Sequence, residues 1–265
     1  MLSNTKPNVS IIKIGGNIVD NPEALNSFLL DFQRMKGLKV LVHGGGVMAS
    51  KMADTLGIKT LKVDGRRITD AETLKIVTMV YAGYINKNIV ASLQNEGCNA
   101  IGLTGADANS IPSKRRSPEP IDFGFVGDPI SKNINVPFIS QLLKTNLTPV
   151  FCAITHDGKG SLLNTNADTV ANSLATALSK EYQTSLYYCF EKEGVLKDIN
   201  NPESLLATIN KMEYAQLKVD KVITEGMIPK LDNSFKAIEN GVSKVIILHA
   251  KNLLNGKGTI LTADS

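Results

Sequence analysis

The chain is predicted to be an α/β protein, a three-layer αβα sandwich around a mostly parallel central sheet. Three observations predict it. Short β-branched runs and amphipathic stretches alternate from one end to the other, the pattern of parallel strands joined by crossover helices. The first two predicted strands both run out into glycine, at Gly15-Gly16 and at Gly44-Gly45-Gly46, and ligands of open α/β sheets bind at the carboxyl ends of strands. No apolar run is long enough to span a bilayer, and no internal repeat or heptad seam competes with this reading.

Taken in order, residues 9–14 are a β-branched strand ending at Gly15-Gly16. Asn21-Pro22 reads as an N-cap followed by proline at the first helical position, and Gly37 closes that helix. Residues 39–42 form the second strand, ending in His43-Gly44-Gly45-Gly46, and 47–56 the next helix. Strands at 59–63 and 66–69 flank Asp64-Gly65, favoured chemistry for a tight hairpin. Thr69 with Glu72 makes a capping box. Leu74, Ile76, Val77, Val80, Ile85, Ile89, Val90 and Leu93 then recur at helical spacing, in a long helix that stops near Gly97. Further strands are predicted at 99–103, 148–153, 185–189, 244–248 and 259–261, with helices around 137–145, 167–179 and 227–240. Residues 106–120, rich in Pro, Ser and Arg, read as the one long irregular loop, and such loops are often functional.

At 265 residues the chain is near the limit of a single core, so one domain or two closely packed lobes is expected. A hydrophobic fraction of 43% and a charged fraction of 20% are those of a soluble globular protein. Residues 1–8 lack the pattern of a secretory signal. Three widely spaced cysteines, Cys98, Cys152 and Cys189, argue against a disulfide framework and against zinc, and fit a reducing cytoplasm; they read as buried small hydrophobes at strand positions. The net charge of +4 is mild and scattered, and without tryptophan the chain has no stacking platform for nucleic acid.

The chemistry gathers at strand ends and helix starts. Glycines there let backbone N–H groups approach a phosphate. Lys13, two residues before a Gly-Gly pair, is directed at an anion or at solvent. No Walker motif is present. Gly44-x-Gly46-x-x-Ala49, with Asp64 some way on, formally fits a dinucleotide-binding fingerprint and makes an NAD(P)-dependent oxidoreductase the distant alternative. Against it, the fingerprint belongs in the first βαβ unit, and Asp64 falls in a hairpin turn. Asn164-Thr165-Asn166-Ala167-Asp168 stacks short polar side chains at a helix start, where a cap needs only one of them. Lys230 lies just inside another helix, where the dipole is already positive, unless an anion meets both. Arg67, beside the Asp-Gly turn, is suited to two-point contact with a carboxylate.

At these residues the chain resembles the amino-acid kinase family, in its acylglutamate branch. The matching elements are Lys13-x-Gly15-Gly16, His43-Gly44-Gly45-Gly46, Asp64-Gly65-Arg66-Arg67-Ile68-Thr69, Leu163-Asn164-Thr165-Asn166-Ala167-Asp168 and Gly226-Met227-x-x-Lys230. They run in family order from about residue 9 to 262. The resemblance implies an N-terminal lobe, 1–180, for the acyl-amino acid and dimerisation, and a C-terminal lobe, 181–265, for ATP. It implies ATP-dependent phosphorylation of the γ-carboxylate of N-acetyl-L-glutamate in arginine biosynthesis, with N-succinyl-L-glutamate or another amino-acid kinase substrate as the alternative. Lys13 and Lys230 neutralise the phosphoryl group in flight, and Asp168 holds both lysines. Gly15, Gly16, Glu191, Gly194, Gly226 and Met227 fall to the nucleotide, with Gly45, Gly46, Arg67 and Asn164 on the substrate side. Magnesium is expected to arrive with ATP rather than in a dedicated carboxylate cage.

A γ-carboxylate has a pKa near 4.3, so it is an ionised nucleophile at neutral pH and needs no general base. His43, His156 and His249 need not be catalytic, and His43 is expected to orient neighbours or to be a satisfied core residue. The chain departs from the family pattern at Phe190-Glu191-Lys192-Glu193-Gly194, where an Asp is usual, and at Thr165, where an aliphatic residue is common. The cationic stretch Lys114-Arg115-Arg116 raises the succinyl alternative, because a second carboxylate attracts a cation. Arginine-inhibited relatives carry an additional N-terminal helix. With about eight residues before the first strand, an arginine-insensitive homodimer joined across the helix from Asp70 to Glu96 is expected.

Overall fold

Strand β1 (Asn8–Ile14) is apolar on both sides. Val9 and Ile11 face one way and Ile12 and Ile14 the other, and all four are buried. A strand of that kind belongs in the middle of a sheet covered on both faces. The computed structural model describes residues 6–263 apart from 64, 199 and 224–226, and only the backbone of Pro202. In it, β1 lies inside an eight-stranded sheet.

The chain continues through α1 (Gly16–Val19), α2 (Pro22–Arg34), β2 (Leu38–His43), α3 (Gly46–Thr55), the short hairpin β3 (Lys62–Val63) and β4 (Arg66–Arg67), and α4 (Ala71–Thr78). A π-helical stretch, Met79–Ile85, joins α4 to α5 (Asn86–Asn95). Then follow β5 (Ala100–Leu103), β6 (Ser113–Arg115), β7 (Gly127–Pro129), α6 (Val136–Lys144), β8 (Thr148–Cys152), β9 (Ile154–His156), β10 (Leu162–Asn164) and α7 (Ala167–Leu178). The last elements are β11 (Gln183–Phe190), β12 (Thr208–Ile209), α8 (Lys211–Val219), α9 (Ile228–Glu239), β13 (Lys244–His249) and β14 (Gly258–Leu261).

The sheet order is β12-β14-β13-β11-β1-β2-β8-β5. Every pairing is parallel except β13 with β14. From β1 the order runs to β2 on one side and to β11 on the other, so the strand order reverses here, where a crevice for ligands opens. Helices α6, α7 and α9 cover the face that carries Val9, Ile11, Val40 and Val42. Helices α2, α4 and α5 cover the opposite face, with Phe28, Phe32, Ile76, Ile89 and Leu93 against Ile12, Ile14 and Leu41. Burying each of these large apolar side chains stabilises by about 1.5–3 kcal/mol. Lys39 is one buried exception. Its ammonium donates to the carbonyls of Phe32, Gln33 and Met35 at 2.6, 2.8 and 2.7 Å, satisfying the end of α2, where carbonyls lack intrahelical partners.

Several local expectations are corrected. The predicted 59–63/66–69 hairpin shrinks to two residues a side, and Asp64 lies outside the described residues. The cap of α4 is Asp70, whose carboxylate accepts from Thr73 N at 2.7 Å. Thr69 is buried instead, bonded to Asn164, so the Thr69–Glu72 box does not form. Residues 106–120 are not wholly irregular, because a short 3-10 turn at Asp107–Asn109 and strand β6 interrupt them. Cys152 and Cys189 sit in strands, but Cys98 precedes β5, and all three are free thiols. Helix α8 and the short strands β6, β7, β9, β10 and β12 are additional to the predicted set.

Candidate active site

Strand alternation puts Lys13 on the same face as Val9 and Ile11, the face covered by α7 and α9. There it meets Asp168, in the first turn of α7. Asn166 caps that helix, its side chain accepting from Asp168 N at 2.8 Å and Thr169 N at 3.2 Å. Lys13 Nζ stands 2.8 Å from Asp168 Oδ1, and Lys230 Nζ 3.6 Å from Asp168 Oδ2. Three residues far apart in sequence thus converge, with one carboxylate between two ammonium groups.

Burial by itself raises the pKa of Asp168, but the two lysines outweigh it and hold the carboxyl below its ordinary range. For Lys230, burial dominates and lowers the pKa, opposed by Asp168 and reinforced by the positive charge of Lys13. Its Nζ also lies 4.5 Å from the centre of the Phe190 ring, a cation–π contact. Lys230 is the third residue of α9, where the helix dipole opposes a cation. Asp168 answers that objection within the protein, and the arrangement still carries net positive charge.

The glycines beside this cluster differ in what they require. A Cβ on Gly15 or Gly16 meets nothing closer than 3.7 Å, and one on Gly46 nothing closer than 3.8 Å. The protein's own packing therefore does not demand glycine at these three places. Gly15 N already donates to Cys189 O at 3.1 Å, so that amide is not free to donate to a phosphate. Gly16 and Gly46, first residues of α1 and α3, have N–H groups outside intrahelical bonding. Gly45 is different, because a Cβ there overlaps Ile85 Cδ1 and comes within 3.0 Å of Tyr81.

Arg67 reaches the second glycine turn. Its Nη2 donates to Gly46 O at 2.7 Å and Ser50 Oγ at 2.9 Å, while Nη1 is buried without a partner. Asn164 Nδ2 donates to Thr69 Oγ1 at 3.0 Å, and the Thr69 hydroxyl lies 3.4 Å from Arg67 O. Thr69 thus ties Arg67 to Asn164, and neither it nor Ser50 was legible as a site residue. Thr165 is satisfied by Thr155 Oγ1 at 2.8 Å. His43 is fully buried. Asn86 Nδ2 donates to its Nε2 at 3.0 Å, so its Nδ1–H donates to Gly44 O at 2.8 Å. Burial pushes its pKa down to about 4, and the neutral ring fixes the start of the glycine turn. Burial pushes the Cys152 and Cys189 thiols up to about 12, which leaves them protonated and poor nucleophiles.

The remaining sequence candidates are spread out. Met227 stands at the N-cap position of α9 without a side-chain capping bond, and Gly226 lies outside the described residues. Glu191 follows β11 and lines a hollow of about 270 Å³ with Asn17, His249 and Lys251. A Cβ on Gly194 stands 2.7 Å from both Leu205 Cδ1 and Thr259 Oγ1, so packing accounts for that glycine. In the cationic stretch, Arg116 is held by Asp128 and Arg115 donates to Gly124 O at 2.8 Å while stacking over Phe125. Arg116 is therefore already neutralised, which weakens the reason for a second substrate carboxylate.

The arrangement sets two ammonium groups near glycine turns and a guanidinium with one unpartnered nitrogen, and the chain has relatives of one kind. It is 58% identical over 245 residues to a protein of Cytophaga hutchinsonii named acetylglutamate kinase, covering 92% of each chain. It is 51% identical to the acetylglutamate kinase of Bacteroides fragilis, covering 98% of each. Among solved structures it is similar to smu.665 from Streptococcus mutans UA159, with a TM-score of 0.79, 27% identity and coverage of 97% and 99%. Carbamate kinase from Giardia lamblia bound to AMP-PNP shares the fold, with a TM-score of 0.67, 16% identity and coverage of 99% and 100%. A model of the amino acid kinase family matches residues 8–249, and the chain belongs to that family.

Proposed function

We infer that the chain phosphorylates the γ-carboxylate of N-acetyl-L-glutamate with ATP, forming the acyl phosphate in arginine biosynthesis. The observation that carries this reading is the convergence of Lys13 and Lys230 on Asp168, beside glycines whose missing side chains leave open space.

The γ-carboxylate attacks as it stands, ionised at neutral pH. The barrier is the approach of one anion to another, so catalysis consists of positioning and charge stabilisation. Lys13 and Lys230 bring positive charge to the phosphoryl oxygens, and Asp168 fixes where the two ammonium groups stand. The amides of Gly16, Gly45 and Gly46 donate to the oxygens that gain charge. Arg67 takes the α-carboxylate through its unpartnered Nη1, and Asn164 contacts the acylated amine. Met227, Gly226 and Glu191 fall on the nucleotide side, with residues 181–265 forming the ATP lobe. Gly15 and Gly194 contribute through backbone shape, not as donors. Among the described residues no three His, Cys, Asp or Glu side chains gather; magnesium carried on the phosphates of ATP supplies further neutralisation.

We further propose a cytoplasmic homodimer. Met79, 58% exposed, lines a hollow of about 540 Å³ with Leu74, Phe125 and Leu162, and Tyr84 is 63% exposed further along the same long helix. A second copy pairing across this face covers both. Light scattering that returns a monomer or a hexamer rejects the dimer. No described helix is long and apolar enough to cross a membrane.

The reaction is tested with MgATP and either N-acetyl-L-glutamate or N-succinyl-L-glutamate, trapping the acyl phosphate with hydroxylamine. Hydroxamate from the acetyl compound is the expected result. Hydroxamate from the succinyl compound alone moves the substrate assignment, and none from either rejects the reading.

A further inference from the structure

The long helix is wound as a π-helix over Met79–Ile85, and π turns within α-helices are frequent at functional sites. This one bears on the second glycine turn. A Cβ on Gly45 would lie 3.0 and 3.1 Å from Tyr81 Cδ1 and Cε1, and one on Gly46 would lie 3.8 Å from Tyr81 Oη. The ring therefore runs along the turn and ends in a hydroxyl near Gly46. The Arg67 guanidinium comes to the same residue, its Nη2 donating to Gly46 O and Ser50 Oγ while Nη1 is buried and unpartnered, and it is near enough to pull the pKa of the phenol down.

Tyr81 is only 6% exposed. Burial pushes its pKa up, against the pull of Arg67, so the hydroxyl stays neutral at assay pH. A neutral oxygen beside a buried guanidinium offers a lone pair without a charge that competes for the arginine. A carboxylate at this place does compete, and closes the site to an anionic ligand.

We propose that Tyr81 is the positioning residue for recognition of the substrate's α-carboxylate: its ring supports Gly45 and Gly46, and its hydroxyl sets the plane of the Arg67 guanidinium so that Nη1 faces the bound acyl-amino acid. This rests on the reading that Arg67 takes the α-carboxylate. The π turn is the means, since its extra residue per turn changes which side chains face the glycines.

Tyr81→Phe removes the hydroxyl and keeps the ring. It is assayed with N-acetyl-L-glutamate and with 4-acetamidobutanoate, which keeps the reacting carboxylate and lacks the α-carboxylate. The second compound is measured as substrate or, if it is not turned over, as a competitive ligand. The KM for N-acetyl-L-glutamate is expected to rise about tenfold, the scale of the charge-assisted hydrogen bond from Nη1 to the substrate that a misaligned guanidinium loses. The KM for ATP and the affinity for 4-acetamidobutanoate stay put, so discrimination shrinks by the same factor. Unchanged discrimination, or a loss carried by kcat together with a lowered Tm, overturns the proposal. Arg67→Lys is run alongside. If it leaves discrimination intact, the Arg67 reading fails. If it abolishes discrimination while Tyr81→Phe preserves it, only the Tyr81 proposal fails.

Discussion

The two glycine turns look alike in sequence and are glycine for different reasons. At the end of β1, Gly15 and Gly16 have room for a methyl group, and neither has a positive φ. At the end of β2, Gly45 has φ 157° and no room, because Ile85 and Tyr81 press on it. The first turn keeps space that the protein itself does not fill. The second turn is held shut by a helix and held open toward Arg67. The two motifs thus part at one position: Gly45 is built into the packing, while Gly16 and Gly46 keep space for an approaching anion.

The largest expected effect tests the cluster beside the first turn. Asp168→Asn leaves Lys13 and Lys230 facing one another without their shared carboxylate. Turnover is expected to fall by about 10³, the upper range for loss of one preorganised electrostatic element. ATP binding, followed by calorimetry, should persist within a few-fold. A variant that keeps its turnover removes the ion-paired cluster from the mechanism.

A pair of alanine substitutions then sharpens the contrast. Gly16→Ala adds a methyl group that meets only Asp20 Oδ2 at 3.7 Å. The fold should tolerate it, while the methyl group enters the space proposed for phosphate, and kcat/KM should drop by about 10². Gly45→Ala should do the reverse first, destabilising the fold by about 1–3 kcal/mol through overpacking against the π turn. Urea unfolding and steady-state kinetics on both variants give the four numbers. Equal stability losses in the two variants collapse the distinction.

How much of this was legible in the sequence follows from the range over which each interaction acts. Strand alternation and the cap at Asn21 are local, and the chain follows them closely. Lys13 and Lys230 stood out because each is odd where it stands, a lysine at a strand end and a lysine against a dipole; that Asp168 joins the two was implied by the family resemblance and not by its position. The role of Gly45 was not readable. It depends on a π turn some forty residues on, and a 3.6-residue periodicity passes through Met79–Ile85 without marking it. Thr69 misled for a related reason. Thr-x-x-Glu is a good capping box in isolation, but Asn164 takes the threonine hydroxyl, and the cap moves one residue along.

His43 ties the second turn to pH. Its pKa is lowered to about 4 by burial, against an ordinary value near 6.5. Between these values the unfolded chain binds a proton that the folded chain refuses, so stability falls as pH drops from 6.5 toward 4. The full difference corresponds to about 3 kcal/mol. His43→Gln should flatten the curve of unfolding free energy over that window. Asp168, whose pKa is depressed, contributes its own loss only below the ordinary carboxylate value, so the two windows separate. An unchanged slope in the variant rejects His43 as the neutral brace of Gly44.

The smallest effect concerns the start of the helix that carries the π turn. Asp70 accepts from Thr73 N, and its pKa is lowered chiefly by that bond. Glu72 only pairs with Lys75 at the exposed surface. Asp70→Ala should destabilise the fold by about 1 kcal/mol, the usual cost of a lost N-cap, and Glu72→Ala by at most about 0.5 kcal/mol. The inequality matters more than either value. A capping box at Thr69 requires Glu72 to be the costlier loss, so urea unfolding that reverses the order would place the helix one residue earlier.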